Sequence, residues 1–260
     1  MKKIQLLAAL AATVVSACGG SSSDSALHFG TVKVQKQVSI TNEDGAPTCN
    51  VHLELDTVDW KQGEAAKAMN AAIAQELLGI DTVSLQVAAD SFATTYTNDY
   101  RQNFAPLYRE DRNDETKRAW YEYHYNVIGE AGKGRKGVTV YTATIDYYEG
   151  GAHGINQRIV LNFDNETGRL LTLRDVLVPG YEQPLCELLL QKLMEQKGAK
   201  TVDELRNSGY LYSMDMFAPE NFVLGEDDIT FIYNTYEIAA YSEGMTELKF
   251  DNDELEELWK

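Results

Sequence analysis

Trp120-Tyr121-Glu122-Tyr123-His124-Tyr125-Asn126-Val127 and Val138-Thr139-Val140-Tyr141-Thr142-Ala143-Thr144-Ile145-Asp146-Tyr147 are the stretches whose reading decides the fold class. Both are rich in aromatic and β-branched residues and place polar side chains at alternate positions, the period-two pattern of strands with one face buried. Gly129-Glu130-Ala131-Gly132-Lys133-Gly134 stands between them and predicts the turn of a hairpin. Upstream, Val32-Lys33-Val34 and Val51-His52-Leu53-Glu54-Leu55-Asp56 alternate in the same way around Asn42-Glu43-Asp44-Gly45-Ala46-Pro47, which predicts an earlier hairpin.

Between the hairpins the period changes. Ala65, Met69, Ala72, Ile73 and Leu77 recur at helical spacing and stop at Gly79, a residue suited to end a helix. A second helix is predicted from about Val83 through Leu85, Ala89, Phe92, Tyr96 and Tyr100 toward Pro106, its aromatic stripe facing the core. The charged stretch Arg109 to Arg118 reads as a loop. Downstream, Ile155 to Phe163 reads as a strand, and Asp164-Asn165-Glu166-Thr167-Gly168 as a tight turn into Leu170 to Leu173. Helices are predicted near Pro184 to Lys197 and Val202 to Arg206, strands at Ile229 to Tyr233 and Glu247 to Phe250, and a closing helical turn over Asp253 to Trp259. Strands and helices are grouped without regular βαβ alternation, so the class is α+β: largely antiparallel sheets with packed helices in two small subdomains, 31–147 and 148–260.

The chain has 260 residues, 44% apolar and 24% charged, which fits a folded globular body and excludes a multi-span membrane protein. Against 23 Lys and Arg stand 40 Asp and Glu, a net charge of −17 that repels phosphate backbones, so nucleic acid is not an expected partner. A cationic partner is the electrostatic match. Tyrosine is abundant, 15 beside 8 Phe and 3 Trp, and its apolar face with a polar tip suits recognition surfaces as well as half-buried sheets.

Residues 1–17 read as a signal peptide: Met1-Lys2-Lys3 is positive, and Ile4 to Val15 is an apolar run too short to span a bilayer. Val15-Ser16-Ala17-Cys18 resembles a bacterial lipobox, which makes Cys18 the lipidated residue and 18–30 a flexible tether rich in Gly and Ser. Gly19 after that Cys resembles an outer-membrane sorting pattern, so the expected location is the cell envelope, lipid-anchored at the outer membrane of a bacterium with two membranes. Cys49 and Cys186 remain; an extracytoplasmic compartment permits a bridge between them, while the apolar surroundings of Cys186 suit a reduced thiol.

The most distinctive local string is Tyr147-Tyr148-Glu149-Gly150-Gly151-Ala152-His153-Gly154, in which glycines set an imidazole beside close-approaching backbone. His153 suits a hydrogen-bonded structural or binding role. Its alternative is catalysis with a carboxylate such as Glu149 or Glu237, which would make the chain a hydrolase of envelope glycan. His28, His52 and His124 are scattered singly, and there is no HExxH, no EF-hand pattern after Asp251 and no nucleophile motif, so neither a metal nor a cofactor is expected. Tyr236 and Tyr241, with Tyr233, Glu237 and Glu243, form a second patch of tyrosines and carboxylates suited to a sugar face or a basic loop.

Three strings in order carry a family resemblance: Gly150-Gly151-Ala152-His153-Gly154, Leu161-Asn162-Phe163-Asp164 through Thr167-Gly168-Arg169-Leu170-Leu171-Thr172-Leu173-Arg174-Asp175-Val176-Leu177, and Tyr236-Glu237-Ile238-Ala239-Ala240-Tyr241 to Gly244. Together they resemble the extracytoplasmic domain of unknown function shared by RsiV-type lysozyme-sensing anti-sigma factors and the amino-terminal region of PdaC-type peptidoglycan deacetylases. The likeness covers roughly 147–260, and 32–147 is similar to the PdaC-like partner domain that precedes it. The family usually has Pro where this chain has Ala240. The resemblance implies a non-catalytic envelope lipoprotein that binds a lysozyme-like basic protein or a cell-wall glycan, with Tyr148, His153, Tyr236 and Tyr241 as the ligand-binding residues.

Overall fold

A computed structural model describes residues 27–260; the expected signal peptide and Cys18 lie outside them. The class is mixed α+β, with a mostly antiparallel six-stranded sheet and a separate three-stranded one. Two compact units share the chain: the first takes residues up to Glu130 and Thr144–Ile155, the second Ala131–Ala143 and Asn156–Lys260.

In the first unit, β1 (Phe29–Ser39) and β2 (Thr48–Val58) form the expected hairpin, with Val32 opposite Leu55 and Val34 opposite Leu53. Alternation puts Cys49, Val51, Leu53 and Leu55 on one face, fully buried under α1 (Glu64–Leu78) and α2 (Leu85–Asp111). Each such aliphatic side chain contributes about 1.5–3 kcal/mol by leaving water. The two helices carry the chain back, so β3 (Tyr123–Lys133) adds to β2 in parallel, Leu53 beside Val127.

Two expectations are corrected in this region. The second helix does not end at Pro106 but continues to Asp111, so the start of the expected Arg109 to Arg118 loop is helical and a 3-10 turn occupies Glu115–Tyr121. Pro106 deprives only the Gln102 carbonyl of its partner, and Gln102 lies on the exposed face where water serves it. Tyr121 holds the final turn, donating from Oη to Asp111 at 2.8 Å and setting its ring edge against Tyr108. The second hairpin also turns later than its glycines suggest. β3 runs on to Lys133, and the connection to β4 (Val138–Tyr148) is 134–137. Gly134 is there for close approach: a Cβ would stand 2.7 Å from Leu224 O, and the adjacent Arg135 N–H donates to that same carbonyl at 3.2 Å.

In the second unit, β5 (Ile155–Asp164) meets a two-residue β6 (Leu170–Leu171), after which Thr172 and Asp175 cap a short α3 (Leu173–Val176), where a longer strand was expected. α4 (Glu182–Lys197) buries Leu185, Leu189 and Leu193, and α5 (Val202–Asn207) follows. β7 (Phe222–Leu224), β8 (Asp228–Tyr233) and β9 (Thr246–Asp251) make the small sheet, with Phe222, Phe231 and Phe250 packed together in the core. Asparagines tie β5 to this sheet. Asn162 donates to Phe222 O at 2.7 Å and accepts from Leu224 N at 2.9 Å, while Asn221 and Asn234 satisfy backbone groups of Arg158 and Val160. Each amide presents one donor and one acceptor, as an opposing peptide group would.

Candidate functional site

The glycine-rich string is the connection from β4 to β5. Gly150 takes φ of 84 and passes so close to its neighbour that a Cβ would stand 2.8 Å from Trp120 O. Tyr148 donates from its hydroxyl to Gly151 O at 2.9 Å, and His153 Nδ1 lies 3.1 Å from Gly154 O. Glu149, the carboxylate named for the hydrolase alternative, accepts from Tyr96 Oη at 2.7 Å. Burial, then that bond to Glu149, pushes the Tyr96 phenol far above its ordinary range, so it stays a donor. Phe92 and Tyr96 of α2 pack with Tyr125, which stacks on Tyr147, so the aromatic stripe of α2 packs against the sheet as its spacing predicts, with Tyr100 buried and Phe92 and Tyr96 half-buried.

One polar constellation in this unit escaped the sequence reading. His124 Nε2 lies 2.8 Å from Asp146 Oδ1, which also accepts from Asn126 Nδ2 at 3.3 Å, and the His124 ring stacks near Tyr148 with centroids 6.3 Å apart. The histidine and its carboxylate are 22 residues apart on neighbouring strands, so only the register of β3 against β4 could have found the pair. Cys49 lies buried, its thiol pushed up to about 12 by burial and secondarily by the Glu149 charge; both it and Cys186 are free thiols.

Tyr236 and Tyr241 sit in the second unit, between β8 and β9, with ring centroids 5.6 Å apart. The exposed fractions are 56% for Tyr236 and 39% for Tyr241. Tyr236 has φ of 75, the left-handed region that costs a bulky residue about 1–2 kcal/mol. Its neighbours fix that turn: Glu237 N–H donates to Asn234 O at 3.0 Å, and the Glu237 carboxylate accepts from Asn234 N at 2.7 Å. Ala240, at φ −65 and ψ 159, has the dihedrals a proline adopts, so the departure from the resembled pattern leaves the loop geometry compatible with it. Of the four tyrosine and histidine positions, Tyr148, the last residue of β4, and His153, in the connection that follows, thus lie in the first unit, and Tyr236 and Tyr241 share one connection of the second. Among the described residues, no three His, Cys, Asp or Glu side chains gather into a set able to hold a metal ion, and no helix is long and apolar enough to cross a membrane.

This is an α+β protein whose most prominent accessible side chains are loop tyrosines. Residues 174–253, which take in α4, α5, β7 to β9 and the Tyr236 to Tyr241 loop, match a family model described as a protein of unknown function, DUF3298. A crystal structure of a DUF3298 family member from Bacteroides fragilis is 28% identical, with a TM-score of 0.82 over 90% of this chain and 94% of that one. A DUF3298 family protein from Pseudomonas aeruginosa, 18% identical with a TM-score of 0.60 over 88% of this chain and 94% of that one, shares the fold. No curated protein matches the chain.

Proposed function

We propose that this protein is a non-catalytic, lipid-tethered envelope module that binds a basic protein or a cell-wall glycan, as the resemblance to RsiV-type and PdaC-type extracytoplasmic regions implies. The observation that supports this most is Tyr236. Its ring rests against Tyr241 and is more than half exposed on a left-handed backbone, a conformation that costs free energy. Strain of this kind persists where a ligand clamp or switch uses it. The net charge of −17 adds long-range attraction for a cationic partner. The hydrolase alternative draws less support, because Glu149 is engaged by Tyr96 and His153 Nδ1 lies against the neighbouring carbonyl.

A pull-down of the chain against lysozyme and against purified peptidoglycan is expected to retain one of them, with retention of lysozyme weakening between about 50 and 300 mM salt as exposed charges are screened. Robust glycan hydrolysis, lost in His153→Ala without a change in melting temperature, would overturn this reading in favour of the enzyme. Anchoring is tested separately. Intact-mass analysis from the host is expected to show a mature chain beginning at a lipid-modified Cys18, since acyl chains there anchor where the short apolar run does not; an unmodified Cys18 would remove the tether.

A further inference from the structure

Among the described residues, just two other than glycine adopt a left-handed backbone: Leu211, at φ 51, and Tyr236, at φ 75. They fall in two different connections, 208–221 before β7 and 234–245 between β8 and β9, and these connections are fastened to each other. Tyr210 and Ala239 form an isolated antiparallel bridge, Leu211 N–H donates to Ile238 O at 2.7 Å, and Tyr210 Oη donates to the Glu243 carboxylate at 3.3 Å. Tyr233 secures the first connection from below by donating to Phe217 O at 2.5 Å. Each strained residue is therefore overdetermined by its neighbours, the condition under which strain is retained.

The strain has a common consequence. Directly after Leu211, Tyr212 is 84% exposed, the most open large apolar side chain among the described residues. Met214 and Phe217 on the same connection, and Tyr236 and Tyr241 on the other, are also exposed. Phe217 sets its ring against the buried Tyr233, and Tyr236 rests on Tyr241, yet all five side chains keep more than a third of their surface in water, and an aromatic-rich patch of this kind marks a surface made to be covered.

Charge says what covers it. Neither connection contains a Lys or Arg, whereas Asp215, Glu220, Glu237 and Glu243 are all present. Glu237 and Glu243 bond to an amide N–H and a phenol, which leave their charges unneutralised. Of the four, Asp215 is in an ion pair, with Arg206 at 3.7 Å, and the cations at the edge of the patch are that Arg206, whose Nε also donates to Leu211 O at 3.4 Å, and Lys197, which lies over the Tyr210 ring at 4.5 Å. Tyrosine faces attract cations through the ring quadrupole, and carboxylates beside them add Coulombic attraction and hydrogen-bond acceptors. A neutral sugar can stack on the tyrosines and donate hydroxyls to the carboxylates, but it gains no Coulombic attraction from them, whereas a cation gains both.

We infer that the joined 208–221 and 234–245 connections form one docking surface for a cationic protein segment, with Tyr212 and Asp215 acting beside Tyr236 and Tyr241 to take its Arg or Lys side chains. This rests on the reading of Tyr236 and Tyr241 as binding residues, and adds a second loop and the class of partner to it.

The test is calorimetric titration of the full-length chain in non-ionic detergent with a synthetic (Gly-Arg)5 peptide, using (Gly-Glu)5 and chitohexaose as comparators. The cationic peptide alone is expected to bind. Tyr212→Ala and Asp215→Asn should each weaken it by about three- to thirtyfold, the range of one cation–π or charge contact. Tyr236→Gly should weaken it similarly while melting no lower than the parent, since glycine takes the left-handed backbone without strain; exposure of Tyr212 and Asp215 makes their variants safe for folding. Peptide bound equally well by Tyr212→Ala, but lost in Tyr236→Gly, would overturn the two-loop surface and leave the Tyr236 and Tyr241 site standing. Chitohexaose bound in place of the peptide would overturn the cationic partner and leave the same site. Failure of both probes, with lysozyme and peptidoglycan also unretained, would overturn this inference together with the reading beneath it.

Discussion

Asn162→Ala is expected to destabilise the protein by about 2–4 kcal/mol, because it leaves a buried donor and a buried acceptor without partners. Asn162 is 1% exposed, and its amide is the sole side chain bonding both Phe222 O and Leu224 N, the two ends of β7. β7 is three residues long and pairs on one side with β8. Removing the amide takes two hydrogen bonds from the other side, leaving there the one from Arg135 N–H to Leu224 O, and opens a small void at the same place. The Phe222, Phe231 and Phe250 cluster lies directly behind, so a frayed β7 exposes aromatic surface as well. Asn162→Asp separates the contributions: it keeps the shape and an acceptor for Leu224 N–H but turns a second acceptor toward Phe222 O. It should cost at least as much as the alanine at neutral pH, because a charge is then buried unpaired. Urea denaturation of parent and variants measures both. A loss below about 1 kcal/mol for Asn162→Ala, within the range of an ordinary surface change, would show that water or a backbone shift replaces the amide.

That asparagine also marks the boundary of what the sequence makes legible. Alternation in Val51 to Asp56 and in Ala143 to Tyr147 reports burial of one face, while Val138 to Tyr141 is buried on both; burial is a local property of each strand, so both hairpins and the α+β class follow from it. The spacing of Met69, Ile73 and Leu77 reports the buried stripe of α1 for the same reason, although Ala66 and Ala74, rather than the expected Ala65 and Ala72, are its buried alanines. Asn162 sits in a strand pattern as one more polar residue, and nothing nearby says that it bonds β7, 60 residues later. β7 itself is too short to show a period. The His124 and Asp146 pair is a matter of strand register; Leu211 is held left-handed by a bond between two connections, and Tyr236 by the Asn234 and Glu237 bonds of its own turn, rather than by their own preferences. Glycines mislead in the other direction. Gly129, Gly132 and Gly134 look like a turn, yet Gly129 and Gly132 lie within β3, Gly134 is required by the approach of Leu224, and the turn is 134–137. Of the candidate sites, Tyr148 to Gly154 and Tyr236 to Tyr241 stand out by composition, whereas Tyr212 becomes visible only through its exposure.

Gly150→Ala and Gly151→Ala are adjacent substitutions expected to differ by about 1–3 kcal/mol, the cost of forcing an extra methyl into filled space. Both glycines have left-handed backbones, φ 84 and φ 100, so an alanine at either carries a similar conformational strain. They differ in what the new Cβ meets. At Gly151 nothing lies within 4 Å, while at Gly150 the Trp120 carbonyl oxygen stands 2.8 Å away and the Tyr123 hydroxyl 3.7 Å away. The Trp120 oxygen belongs to backbone just before Tyr121, whose own carbonyl accepts from Tyr100 Oη at 2.7 Å, so this segment is tied to α2 and yields poorly. Displacing the loop instead pulls on Glu149, and with it the bond from Tyr96, and on Gly151, the acceptor for Tyr148. Gly150→Ala should therefore lower the melting temperature clearly more than Gly151→Ala, and it should also disturb the near-ultraviolet signal of the Tyr96, Tyr125 and Tyr147 stack, which Gly151→Ala should leave unchanged. Equal melting temperatures for the two variants would mean that the loop moves away from Trp120 at little cost, and that the run of glycines serves backbone conformation alone.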